Sequence, residues 1–99
     1  MKEIAIFIPE RNVGNALINT IERIPIKIRS EVGQILVIDN ASSDDTYQIA
    51  LDYKEKSNMK NLKIIKNEKN LGYGGSQKKA YDYAIREDFN IIVMLHGDA

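Results

Sequence analysis

Four short apolar runs punctuate the chain: Ile4 to Ile8, Ile35 to Ile38, Leu62 to Ile65 and Ile91 to Leu95. Each is rich in Ile or Val, β-branched types that pack well on a pleated surface. Their starts lie 31, 27 and 29 residues apart, about one βαβ step and far too long for hairpins. Between them apolar positions recur at helical spacing. Val13, Ala16, Leu17, Thr20, Ile21 and Ile24 form one stripe, Tyr47, Ala50, Leu51 and Lys54 a second, and Ala80, Tyr81, Ala84, Ile85 and Phe89 a third. The pattern predicts three helices. Ser42, Ser43 and Asp44 stand before the middle one as cap candidates, because their side-chain oxygens accept free first-turn N–H groups. Asn67 to Gly75 reads as the longest polar, glycine-bearing loop.

Strand and helix alternating in this way predict a mainly parallel four-stranded sheet with right-handed crossovers, hence a three-layer α/β sandwich. Ligands of such sheets sit beyond the carboxyl ends of the strands. The polar residues follow that rule: Pro9-Glu10-Arg11-Asn12 comes after the first run, Asp39-Asn40 after the second, Asn67 to Asn70 after the third and His96-Gly97-Asp98 after the fourth. All four clusters are expected at one rim.

Composition narrows the function classes. With 99 residues, 43% hydrophobic and 28% charged, one small globular core is the most to expect. Lys plus Arg and Asp plus Glu both count 14, so no positive field gathers nucleic acid or anionic lipid. Cysteine is absent, which removes disulfide frameworks and thiolate metal sites. No apolar run approaches the ~20 residues that span a bilayer, and Met1-Lys2-Glu3 leads straight into a strand-like run. A cytoplasmic location is expected, with no membrane insertion by this segment; a longer parent chain is free to be membrane-associated.

The first turn lacks both the G-x-G-x-x-G of dinucleotide binders and the G-x-x-x-x-G-K-[ST] of phosphate-cradling loops. A phospho-receiver would want an acidic pair after the first run and an aspartate after the third, where this chain has Glu10 and Asn67. What it does carry is Ile-Pro-x-x-Asn from Ile8 to Asn12, Val37-Ile38-Asp39-Asn40-Ala41-Ser42-Ser43-Asp44-Asp45-Thr46, Asn70-Leu71-Gly72-Tyr73-Gly74-Gly75, and His96-Gly97-Asp98. In order and spacing, from Ile4 to Asp98, these segments resemble glycosyltransferase family 2. The resemblance implies the GT-A fold with sheet order 3-2-1-4. It also implies inverting transfer of a sugar from a nucleotide diphosphate. Family members carry the acceptor pocket and the general base after the last of these motifs. Residues 1–99 are therefore expected to form only the donor-binding half, with the base beyond Ala99 and no transferase activity of their own.

The resemblance also assigns residues. Asp39 is expected to accept hydrogen bonds from the nucleobase, since an ionised carboxylate offers only acceptors. Pro9 lines the base pocket and fixes the turn, Asn12 ties it together, and Arg11 is a ligand-contact candidate beside Glu10, in a position where two opposite charges are also compatible with plain solvation. Asn70, Gly72, Gly74 and Gly75 let backbone approach ribose or diphosphate. Lys78 and Lys79 attract phosphate or else form a solvated helix face. Asp98 and His96 stand where the family has D-x-D, so Asp98 is the metal candidate. His96 is a second ligand or a ribose or diphosphate contact, and imidazole favours Mn²⁺ over Mg²⁺. Two other functions fit parts of the pattern: a nucleotidyltransferase, whose glycine-rich basic first loop is missing here, and a non-catalytic α/β interaction module on the same scaffold. With the fourth strand at the sheet's edge, homodimerisation through Ile91 to Leu95 is expected.

Overall fold

A computed structural model describes residues 1–96. The elements run β1 (Ile4–Glu10), α1 (Ala16–Arg23), α2 (Ile26–Glu31), β2 (Gln34–Asp39), α3 (Thr46–Ser57), β3 (Leu62–Lys66), α4 (Gly72–Arg86) and β4 (Ile91–Met94). The strands form one parallel sheet of order β3-β2-β1-β4, as the repeat spacing and the resemblance imply.

Strand alternation assigns the faces. Ile6, Ile8, Ile35 and Val37 point to one side and pack with Leu17, Ile21 and Ala50 of α1 and α3. Phe7, Leu36 and Ile38 point to the other and pack with Ala80 and Tyr83 of α4. Both layers are buried, which is why the strands read as continuous apolar runs. β4 is covered on one side only. Ile92 and Met94 pack under α4, whereas Ile91 and Val93, paired with Ile4 and Ile6, stay 49% and 43% exposed.

The helices differ from the sequence expectation in three ways. There are four, because α2 follows Pro25, whose ring presets the entering φ. None of its residues is buried, so no apolar stripe announces it. α4 begins at Gly72 rather than after Gly75, so Gly74 and Gly75 belong to a helical turn instead of a loop. Side-chain oxygens of Asn40 and Asn70 accept the Leu71 and Gly72 N–H groups, and this capping offsets the ~1 kcal/mol that glycine costs in a helix. Finally, α4 buries Ser76, Ala80, Tyr83 and Ala84, while Tyr81 and Ile85 face outward. Tyr83 turns the stripe because its hydroxyl reaches Gln34.

Candidate active site

The carboxyl ends of β1 and β2 are locked together by one asparagine. Asn12 has φ 54, a left-handed conformation that asparagine tolerates better than most residues. There its N–H donates to Ser42 Oγ at 2.9 Å, and its Oδ1 accepts the Ser43 N–H at 2.8 Å. Asp44 Oδ1 accepts the Thr46 N–H at 3.0 Å. Bonds from Thr46, with some help from the Arg11 charge, hold the Asp44 carboxyl below its ordinary range. Thr46 Oγ1 in turn accepts the Gly14 N–H at 2.9 Å.

A second lock joins β2, β3 and α4. Asn67 is buried and donates to Asn40 Oδ1 at 3.0 Å and to Ser76 Oγ at 3.1 Å. Asn40 donates to Asn70 at 2.7 Å, and Lys79 Nζ donates to Asn67 Oδ1 at 2.7 Å. Buried amides in a satisfied network of this kind fix one arrangement of the loops that carry them.

Between the locks lies a cavity of about 200 Å³. It is lined by Pro9, Glu10, Arg11 and Val13 from β1 and the turn after it, by Asn40, by Tyr73 and Ser76 of α4, and by His96. The Tyr73 and His96 rings stack at 5.9 Å with 26° between planes, and Thr20 Oγ1 donates to the His96 carbonyl at 3.3 Å. A larger cavity of about 450 Å³ lies at the opposite end of the strands, beside Lys2, Arg29 and Asn61, away from the carboxyl ends where such sheets bind ligands.

Glu10 brings one carboxyl group to this cavity, and Asp39 sets a second beside it, outside the lining. Glu10 and Asp39 are partners in the β1–β2 register, and both are buried. The Asp39 carboxylate accepts the Ser42 N–H at 3.1 Å and also the Ser42 hydroxyl. Neither Glu10 side-chain oxygen has a hydrogen-bond partner of the ordinary donor kind among the described residues. Burial, then a hydrogen bond to Asp39 and the charges of Asp39 and Asp44, push the Glu10 carboxyl up to about 9. A carboxyl pushed up to about 9 keeps its proton at neutral pH, and that proton is what lets Glu10 bond to Asp39.

Residues 5–99 match the sequence family described as glycosyl transferase family 2. The chain belongs to that family. No curated protein gives a significant sequence match. Among solved structures, PcManGT, a mannosyltransferase from Pyrobaculum calidifontis in complex with GDP-Man and Mn²⁺, superposes with a TM-score of 0.81 at 19% identity, covering 98% of this chain and 28% of its own. TarS of S. aureus superposes at 0.67 and 24% identity, covering 99% of this chain and 17% of its own. Both likenesses establish the GT-A fold, and the family-2 chain spans less than a third of either neighbour.

The structure sorts the expected site residues of this family-2 chain into groups. Pro9, Arg11 and His96 line the cavity together. Asn12 and Asn70 hold the two locks. Asp39 is fully buried behind Glu10, and it does not line the cavity. Gly72, Gly74 and Gly75 form the start of α4. Lys78 is exposed, whereas Lys79 is spent on Asn67. Asp98 lies outside the described residues. Glu10, Asn40, Tyr73 and Ser76 are cavity residues that the sequence reading left out of the site. Asn40 was recognisable as the neighbour of Asp39, and Tyr73 as the aromatic residue within the glycine segment.

The described residues contain no group of three or more metal-ligating side chains. His96 is exposed at the cavity mouth, and Asp39, which accepts from the Ser42 N–H and hydroxyl, does not line the cavity. The described part of the site therefore does not fit a divalent ion without further ligands.

Proposed function

We propose that this chain is the nucleotide-sugar-binding portion of a glycosyltransferase, which moves a sugar from a nucleoside diphosphate to an acceptor with inversion at the anomeric carbon. The observation that carries the reading is the cavity at the carboxyl ends of β1 and β2, with an aromatic wall, a buried acid at its floor and Arg11 at its edge. A base stacks against the Tyr73–His96 wall, where ring-on-ring contact contributes about 1–3 kcal/mol per base. Arg11 then faces the diphosphate as a bidentate cation. Membership of the family supports sugar transfer as the general activity.

Asp98 is the proposed metal ligand, with Asn70, Gly72, Gly74, Gly75 and Lys78 at the diphosphate end, while His96 stays with the aromatic wall. A bound Mn²⁺ or Mg²⁺ would stabilise charge on the departing diphosphate. The acceptor pocket and the general base belong to the part of the family fold that residues 1–99 do not include. The isolated chain is thus expected to bind donor weakly and transfer nothing. Among the described residues no helix is long and apolar enough to cross a membrane, and a cytoplasmic site of action is part of this proposal. Calorimetric titration with GDP and UDP, each with Mn²⁺, tests the reading. Saturable binding of at least one is expected, and indifference to both overturns it. Measurable sugar transfer by the 99-residue chain would overturn the division of labour.

A further inference from the structure

The floor of the cavity assigns the base-reading role to a different carboxyl group from the one the family resemblance suggests. Asp39 has both side-chain oxygens committed to the Ser42 turn and does not reach the cavity. Glu10 lines it, is only 6% exposed, and has two oxygens without a donor among the described residues. A buried polar atom left unpaired costs about 1–3 kcal/mol. An orphan of this kind at the floor of a cavity marks a place where a ligand supplies the missing partner.

We propose that Glu10, with Asp39 behind it, is the specificity-determining residue of this pocket, accepting the ring N–H of a lactam base such as uracil or guanine. The proposal rests on the nucleotide-sugar reading above. Its direction follows from the pairing: a proton on Glu10 directed at Asp39 leaves the other Glu10 oxygen as a bare acceptor toward the cavity. A lactam ring N–H satisfies that acceptor. Cytosine and adenine turn a ring lone pair toward it instead, and acceptor against acceptor repels. The carbonyl beside the lactam N–H also meets a donor: Ser76 lines the cavity, its oxygen accepts from Asn67, and its own hydroxyl proton is uncommitted among the described residues.

The test is calorimetric titration of the wild-type chain, Glu10→Gln and Glu10→Leu with UDP, CDP, GDP and ADP. The wild type is expected to favour UDP over CDP and GDP over ADP by roughly tenfold, the scale of one net hydrogen bond in a desolvated site. Glu10→Gln keeps the preference, because its amide N–H faces Asp39 while its carbonyl faces the cavity. Glu10→Leu brings both ratios close to one, and its thermal midpoint, read alongside, reports the loss of the Glu10–Asp39 bond separately from the loss of base preference. An unchanged ratio in Glu10→Leu, or a wild type indifferent to the base, overturns the assignment and leaves the donor reading standing. A wild type that binds none of the four overturns both. If all four affinities fall together in Glu10→Leu, Glu10 shapes the pocket and does not read the base, and the assignment fails.

Discussion

Glu10 ties the stability of the whole domain to pH. Its carboxyl has the ordinary value of 4.5 in the unfolded chain and is pushed up to about 9 in the folded one. Between these limits the folded state holds one proton more than the unfolded state, so stability falls as pH rises. The contribution is fully present below pH ~4.5 and is lost as pH climbs through about 9. Over three pH units, from 5.5 to 8.5, an unscreened site would lose about 4 kcal/mol at ~1.4 kcal/mol per unit. Exposed neighbours such as Arg11 and His96 bring solvent to the cavity mouth, and screening reduces the expected loss to about 2 kcal/mol. In a domain of this size that is on the order of 10 °C in Tm. Glu10→Gln carries no titrating proton and escapes the loss. Urea unfolding of both proteins at pH 5.5 and 8.5 isolates the effect, because titrating groups that do not interact with Glu10 cancel in the difference. The variant should gain on the wild type by about 2 kcal/mol across that interval. Parallel pH profiles, or a wild type that gains on the variant at high pH, would refute the account of a proton held between Glu10 and Asp39.

Asn67→Ala removes the centre of the second lock and strips Lys79 of its acceptor; a loss of about 2 kcal/mol is expected in denaturant unfolding, and a change under 0.5 kcal/mol would show the network to be dispensable. Asn12→Ala loses the bonds to Ser43 and Asp44 and puts alanine at φ 54. A loss of about 1–2 kcal/mol follows, and Asn12→Gly, which keeps the conformation but not the side chain, should recover part of it. We also propose self-association through β4, whose Ile91 and Val93 form an apolar pair beside an edge that pairs with no further strand among the described residues. Sedimentation should show dimer at high concentration and monomer for Ile91→Lys/Val93→Lys, and a wild type that stays monomeric would end that proposal.

The strands were legible because burial on both faces leaves an unmistakable Ile and Val signature, and their spacing excluded hairpins. α2 was not, since a helix that buries nothing carries no periodic stripe. The start of α4 was missed because its capping groups, Asn40 and Asn70, lie partly in another loop, and glycine alone reads as a break. The site shows the same division. Asp39 stood out by motif, but its burial depends on the Ser42 turn. Glu10, next to Arg11, is in sequence equally compatible with plain solvation. Yet it continues the inward row of Ile6 and Ile8 at a period of two, as Asp39 continues that of Ile35 and Val37. Carrying the alternation past the end of each apolar run would have placed both acids on one face of the sheet.

The order β3-β2-β1-β4 also sets a sequence of assembly. Three strands can pair once Lys66 has left the ribosome, but β4 docks on the far side of β1 only after α4 has crossed over the sheet. Tyr73 and His96, one on that crossing helix and the other just beyond the last strand, are therefore late arrivals. Detachment of the outermost strand would take the ring pair apart while the inner three stayed folded. Any ligand resting on those rings would act as a clasp, linking occupancy of the cavity to retention of β4.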